Sequence, residues 1–103
     1  MANTFNRPII LTGTMANDYL TTIGAVAGNE KPLRVIKVVW TAPGVSGSFV
    51  ITDGSTAGNV LLQGVTPASF AGQDVEYDFE VPLAWRNFKV TTLSAGTLLI
   101  FAR

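Results

Sequence analysis

From residue 8 to the end of the chain, runs of β-branched and aromatic residues succeed one another, each closed within a few positions by Gly, Pro, Asp or Ser. They are Pro8 to Thr12, Tyr19 to Ile23, Leu33 to Thr41, Ser48 to Thr52, Asn59 to Gln63, Asp74 to Val81, Asn87 to Leu93 and Thr97 to Ala102. Strand-length runs at this spacing leave no room for helices between them, and about eight of them predict an all-β fold, an antiparallel β-sandwich that is jelly-roll-like by its strand count. The turns have their own chemistry. In "APGVSGS" Pro43 presets φ while Gly44 and Gly47 supply left-handed conformations, and "DGSTAGN" and "SAG" do the same before Val60 and Thr97. Helical signal is confined to "TPASFAGQD", where Thr66 or Ser69 could cap a single turn and a plain loop fits as well. The small residues of "GAVAGNEKP" read as an exposed loop or arm. No linker or charge block divides residues 1–103, so one domain is expected, with 1–8 as an N-terminal arm.

Periodicity sorts the strands into two kinds. In "DVEYDFEV" the alternation is strict, with Val75, Tyr77, Phe79 and Val81 on one face and Asp74, Glu76, Asp78 and Glu80 on the other. In "RVIKVVWT" one face carries Arg34, Ile36, Val38 and Trp40, and the other carries Val35, Lys37, Val39 and Thr41. "TLLIFAR" behaves alike, with Leu98, Ile100 and Ala102 opposite Leu99, Phe101 and Arg103. A two-sheet sandwich turns one face of each strand to the core and the other to water, so these two strands require cover on their second face. Either a loop or the arm folds over them, or another subunit packs there. The expected core comprises Ile10, Leu20, Val38, Trp40, Phe49, Ile51, Leu61, Tyr77, Phe79, Phe88, Val90 and Ile100.

Composition removes most chemistry. Hydrophobic residues make up 48% and charged residues 14%, and seven basic side chains balance seven acidic ones. A neutral, charge-poor surface has no field to gather phosphates or an anionic membrane, so neither nucleic acid nor membrane is an expected partner. No run approaches the apolar length of a membrane span, and the N-terminal stretch lacks a secretory pattern, which points to assembly in the cytoplasm. Without cysteine or histidine there is no thiol nucleophile, no thiolate metal site and no imidazole base or ligand. No serine has a lysine placed to activate it, so no catalytic residue and no cofactor are assigned.

Three features nevertheless invite a functional reading. The carboxylates of Asp74, Glu76, Asp78 and Glu80 could hold calcium, or Glu76 and Glu80 could serve a small glycan-cleaving enzyme. Same-face neighbours on a strand lie about 7 Å apart, which is wide for one ion to bridge. A solvated edge strand balanced by Arg34, Lys37, Arg86 or Lys89 accounts for them more simply. "TDGSTAGN" suggests an oxygen-ligand loop but matches neither an EF-hand nor a phosphate loop, and reads as a hairpin turn with Asp53 bonding its own backbone. Trp85 and Tyr77 could form the platform of a carbohydrate- or receptor-binding module. Trp85 and Arg86, in "PLAWRN" between two strands, are also of the types favoured at interfaces.

The segments "KPLRVIKVVWTAP", "SFVITDG" and "VPLAWRNFKVTTLSAGTLLIFAR" resemble small, cysteine-free β-sandwich proteins of tailed bacteriophage virions, in which a "V.W" strand is followed by a hydrophobic-x-Asp-Gly turn and a final hairpin reaches the C-terminus. The likeness runs from Lys31 to Arg103 and is one of pattern. It implies a structural protein of the capsid surface, of the cement or decoration type, or a subunit of a head or tail appendage. The expected partners are the major capsid protein or other virion subunits, together with further copies of this chain, a trimer being favoured. Thr4, Phe5, Asn6, Arg7 and Pro8 of the arm, with Trp85 and Arg86, are the expected contact residues.

Overall fold

The computed structural model describes residues 3–4, 8–23, 33–41, 46–67, 69 and 73–102. In chain order its elements are β1 (Ile9–Leu11), α1 (Tyr19–Ile23), β2 (Leu33–Thr41), β3 (Ser48–Thr52), β4 (Val60–Val65), β5 (Val75–Trp85), β6 (Lys89–Leu93) and β7 (Thr97–Ala102). Two antiparallel sheets result, one ordered β1-β7-β2-β5 and the other β4-β3-β6. The pairing is nested: β1 lies with β7, β2 with β5, and β3 with β4. Met15 and Tyr19 complete the series by donating their N–H groups to the carbonyls of Val90 on β6 and of Phe88 just before it, at 2.9 and 2.8 Å. The chain is one long hairpin with its tip at the turn before β4, rolled into two layers in the manner of a jelly roll.

The strand expected at Tyr19 to Ile23 is a single helical turn that occupies the place of the jelly roll's second strand. Its β-type composition is overridden by capping. Asp18 Oδ1 accepts the Thr21 N–H at 2.8 Å, and the Asp18 carbonyl accepts the Thr22 N–H and hydroxyl at 3.0 and 2.8 Å. Asn87, from the loop between β5 and β6, accepts the Leu20 N–H at 3.0 Å. The Thr21 hydrogen bonds, with smaller help from Asn87 and Lys89, hold the Asp18 carboxyl below its usual range against a small opposing effect of burial. A carboxyl depressed on folding contributes stability that is present above the unfolded value and lost as pH falls through the folded one. Melting followed from pH 6 down to pH 2.5 should therefore show the native chain losing more of its Tm below pH 4 than Asp18→Asn does. Equal slopes would show that the cap does not hold in solution.

Between the sheets, Ile9, Leu11, Val35, Val38, Trp40, Phe49, Ile51, Phe88, Val90, Leu98 and Ile100 are sealed from solvent. Two aromatic groups fill the ends. Trp40 meets Phe49 edge-on at 4.8 Å, and Phe49 meets Tyr77 edge-on at 5.8 Å, while Trp40 Nε1 donates to the Ala95 carbonyl at 2.9 Å. At the other end Tyr19 stacks on Phe88 at 4.8 Å and Trp85 tilts against the same ring at 5.8 Å. Of the expected core, Leu61, Tyr77 and Phe79 are partly buried against it. Ile10 and Leu20 are not core residues. Ile10 lies between the inward-facing Ile9 and Leu11, so it faces outward, and Leu20 is half-exposed on α1. The possible helical turn after Thr66 falls largely on residues outside those described. Thr66 itself is buried, accepting the Gly47 N–H through its hydroxyl at 2.8 Å.

A bulge corrects the faces of β2. Between Val35 and Lys37 the strand takes two steps while β7 takes one, from Ala102 to Phe101. The extra residue, Ile36, reverses the phase of the side chains. Leu33, Val35, Val38 and Trp40 all turn inward, leaving Arg34, Lys37, Val39 and Thr41 for the outer side. Opposite the same point β5 places four residues, Phe79 to Pro82, between its partners Asp78 and Leu83. The strict alternation of β5 therefore holds through Phe79 and fails at Val81, which is 77% exposed.

Candidate functional site

The outer face of the four-stranded sheet gathers the side chains that the core does not use. Because Leu98 and Ile100 of β7 point inward, Leu99 and Phe101 point outward, and β1 sets Ile10 outward by the same alternation. Register aligns Ile10 with Leu99, Leu99 with Val39, and Val39 with Glu76, so one row crosses all four strands. The next row runs from Phe101 through Lys37 to Asp78. Val39, at the centre, is 9% exposed although it faces away from the core.

Apolar side chains thus hold the β1-β7-β2 part of this face, and charges hold the β2-β5 part. Lys37 Nζ stands 3.8 Å from Glu76 Oε1 and 3.8 Å from Asp78 Oδ1. These ion pairs are largely solvated, so they add little to stability, but they neutralise part of the acidic row on the edge strand. Among the described residues no three carboxylates converge as a metal site would require.

The described residues among those expected to contact partners, Thr4, Pro8, Trp85 and Arg86, are not brought together. Asn3 and Thr4 are bound to their own chain: Thr4 exchanges backbone hydrogen bonds with Ile10 at 2.8 and 2.9 Å. Asn3 Oδ1 accepts the N–H groups of Thr12 and Gly13 at 2.7 and 3.1 Å. Pro8 is half-buried, and Phe5, Asn6 and Arg7 lie outside the described residues. Arg86 is exposed just beyond β5, on the opposite edge of the sheet from β1. Trp85 is a correction. Its exposure is 4%, because it lies opposite Leu33 at the closed end of the sandwich and packs on Phe88, so it presents no surface to a partner or a sugar. Tyr77 is turned to Phe49, and no aromatic platform forms from the pair.

The "TDGSTAGN" loop is a closed turn. Asp53 Oδ1 accepts the Ser55 N–H and hydroxyl at 2.9 and 2.6 Å, and Oδ2 accepts Asn59 Nδ2 at 3.1 Å. These bonds, those of Ser55 foremost, hold the carboxyl below its usual range and commit both oxygens to the turn. Gly54 and Gly58 take φ of +76° and +65°, the left-handed conformation the turn requires. Ile10, Val39, Leu99 and Phe101 were not among the expected contact residues. The signal that finds three of them is the doubly apolar pattern of the last strand and of the strand at Leu33 to Thr41. No family model, no curated protein and no solved structure matches this chain.

Proposed function

We propose that the protein is a non-enzymatic structural subunit of a bacteriophage virion, a cement or decoration protein that oligomerises and stabilises the shell through contacts with the major capsid protein. The observation that carries the reading is the apolar row of Ile10, Leu99 and Val39, with Phe101 beside it, on the outer face of a sandwich whose core is already filled. Ile10, Leu99 and Phe101 are only partly buried in the single chain, and covering their remaining surface favours association by about 1 kcal/mol each before association costs, while Val39 has almost none left to bury. The pattern likeness of Lys31 to Arg103 to virion sandwich proteins supplies the biological setting. Stabilisation by many repeated contacts requires no reactive group, which agrees with a chain lacking histidine and cysteine.

Light scattering over a hundredfold concentration range tests the assembly step. A closed oligomer is expected, and Leu99→Lys, which sets a charge in the centre of the row, should reduce its mass while the melting of the subunit changes little. A monomer at every concentration would refute the step. Co-sedimentation with empty capsids then tests the partner, with a raised capsid melting temperature as the expected result.

A further inference from the structure

The two sheets have four edges, and three of them are closed or defended. At β1 the backbone of Thr4 pairs with Ile10, and at β6 the N–H groups of Met15 and Tyr19 reach the carbonyls of Val90 and Phe88. The edge strand β5 carries Asp74, Glu76, Asp78 and Glu80 beside it or on it, bows out from Phe79 to Pro82, and has a proline in the bow. Charge, bulge and proline are the devices that keep a strand edge from pairing with another chain. β4, "VLLQGV", has neither charge nor proline, and its single bulge lies at the Leu61 end.

The direction of the β4 backbone follows from two hydrogen bonds. Thr66 N–H donates to Gly47 O at 2.9 Å, so the alternate residues Gly64 and Leu62 turn their backbone groups to Phe49 and Ile51 of β3. On the other side of β3, Ser94 N–H donates to Ser48 O at 2.9 Å, which assigns Ser48 and Val50 to β6 and agrees with that phase. Gln63 and Val65 are left with N–H and C=O groups pointing away from the sheet, and among the described residues nothing pairs with them.

We propose that β4 pairs antiparallel with β4 of a second copy across a two-fold axis, joining two three-stranded sheets into one. Outward backbone donors and acceptors are matched by another strand. An uncharged strand meets no repulsion from its own copy, whereas β5 against β5 would oppose two rows of carboxylates. A two-fold makes the Gln63 and Val65 bonds reciprocal, and Val65, 77% exposed in the single chain, gains a cross-strand neighbour. This surface is separate from the outer face of the four-stranded sheet and stands whether or not the chain belongs to a virion.

Sedimentation equilibrium from micromolar to millimolar protein, carried out in the Leu99→Lys background, isolates this contact. A concentration-dependent dimer is expected. Gln63→Pro removes one outward N–H without touching the β3 ladder, and Val65→Lys sets like charges across the axis. Each should weaken the dimer at least tenfold, the lysine variant more at low salt than at high salt. Far-ultraviolet melting checks that both variants remain folded. Should the proline variant unfold, the lysine variant alone decides. A monomer up to millimolar concentration, or a dimer indifferent to Val65→Lys, would overturn the proposal.

Discussion

Trp85→Ala is expected to destabilise the fold by about 3 to 5 kcal/mol, the usual cost of emptying a large aromatic site in a core. For a domain of this size the corresponding fall in Tm is roughly 15 to 30 °C. The side chain is 4% exposed, faces Leu33 across the β2-β5 ladder and packs on Phe88, which also stacks on the ring of Tyr19 on α1. Removing the indole therefore loosens three elements together: the end of β5, the start of β2 and the helical turn. Trp85→Phe keeps a ring beside Phe88 and should recover much of the loss. Thermal melting separates this role from that of an exposed partner anchor. An anchor would leave the Tm of the free chain unchanged on truncation and lose only binding, and that outcome would refute the core assignment.

Why Trp85 reads as an interface residue in the sequence, and as core in the structure, is a matter of where the strand ends. The alternation suggests an end at Val81, which leaves "PLAWRN" between two strands. β5 instead continues past the bow from Phe79 to Pro82 and reaches Trp85, which pairs with Leu33 and turns its indole inward. The bulge at Ile36 is hidden for another reason, since a bulge is a mismatch between two strands and no single strand displays it. For strand bounds the sequence is sufficient where turn residues flank the run, whether or not the strand is bulged: Leu33 to Thr41, Ser48 to Thr52 and Thr97 to Ala102 have the bounds expected of them. Tyr19 to Ile23 fails differently. Its residues suit a strand, but Asn87, 67 positions away, takes the Leu20 N–H and Asp18 caps the turn, so a tertiary contact overrides local preference. The apolar outer row was half legible. Both faces of "TLLIFA" are apolar in sequence, but only the register shows Leu99 lying between Val39 and Ile10, which the sequence assigned to the core.

Gly64→Ala carries an expected effect of opposite sign to that of its residue type. A glycine inside a strand is ordinarily a weak point, and alanine there improves stability by about 0.5 to 1 kcal/mol. At Gly64 a Cβ would lie 2.5 Å from Phe49 Cε1 and 2.5 Å from the Tyr77 hydroxyl oxygen. Phe49 has little freedom to withdraw, being fully buried and held edge-on between Trp40 and Tyr77, with Trp40 tied to the Ala95 carbonyl. Overpacking of this kind costs about 1 to 3 kcal/mol, so the variant should melt lower than the parent, and Gly64→Val lower still. The Tyr77 hydroxyl is the one contact that a second substitution can delete without disturbing the ring. In a Tyr77→Phe background the penalty of Gly64→Ala should shrink, and the double-mutant cycle should return a coupling of about 0.5 kcal/mol or more. Strict additivity would place the strain on Phe49 alone. A stabilised Gly64→Ala would mean that the aromatic group at this end of the sandwich yields, and that β4 is free to move relative to the strands beneath it.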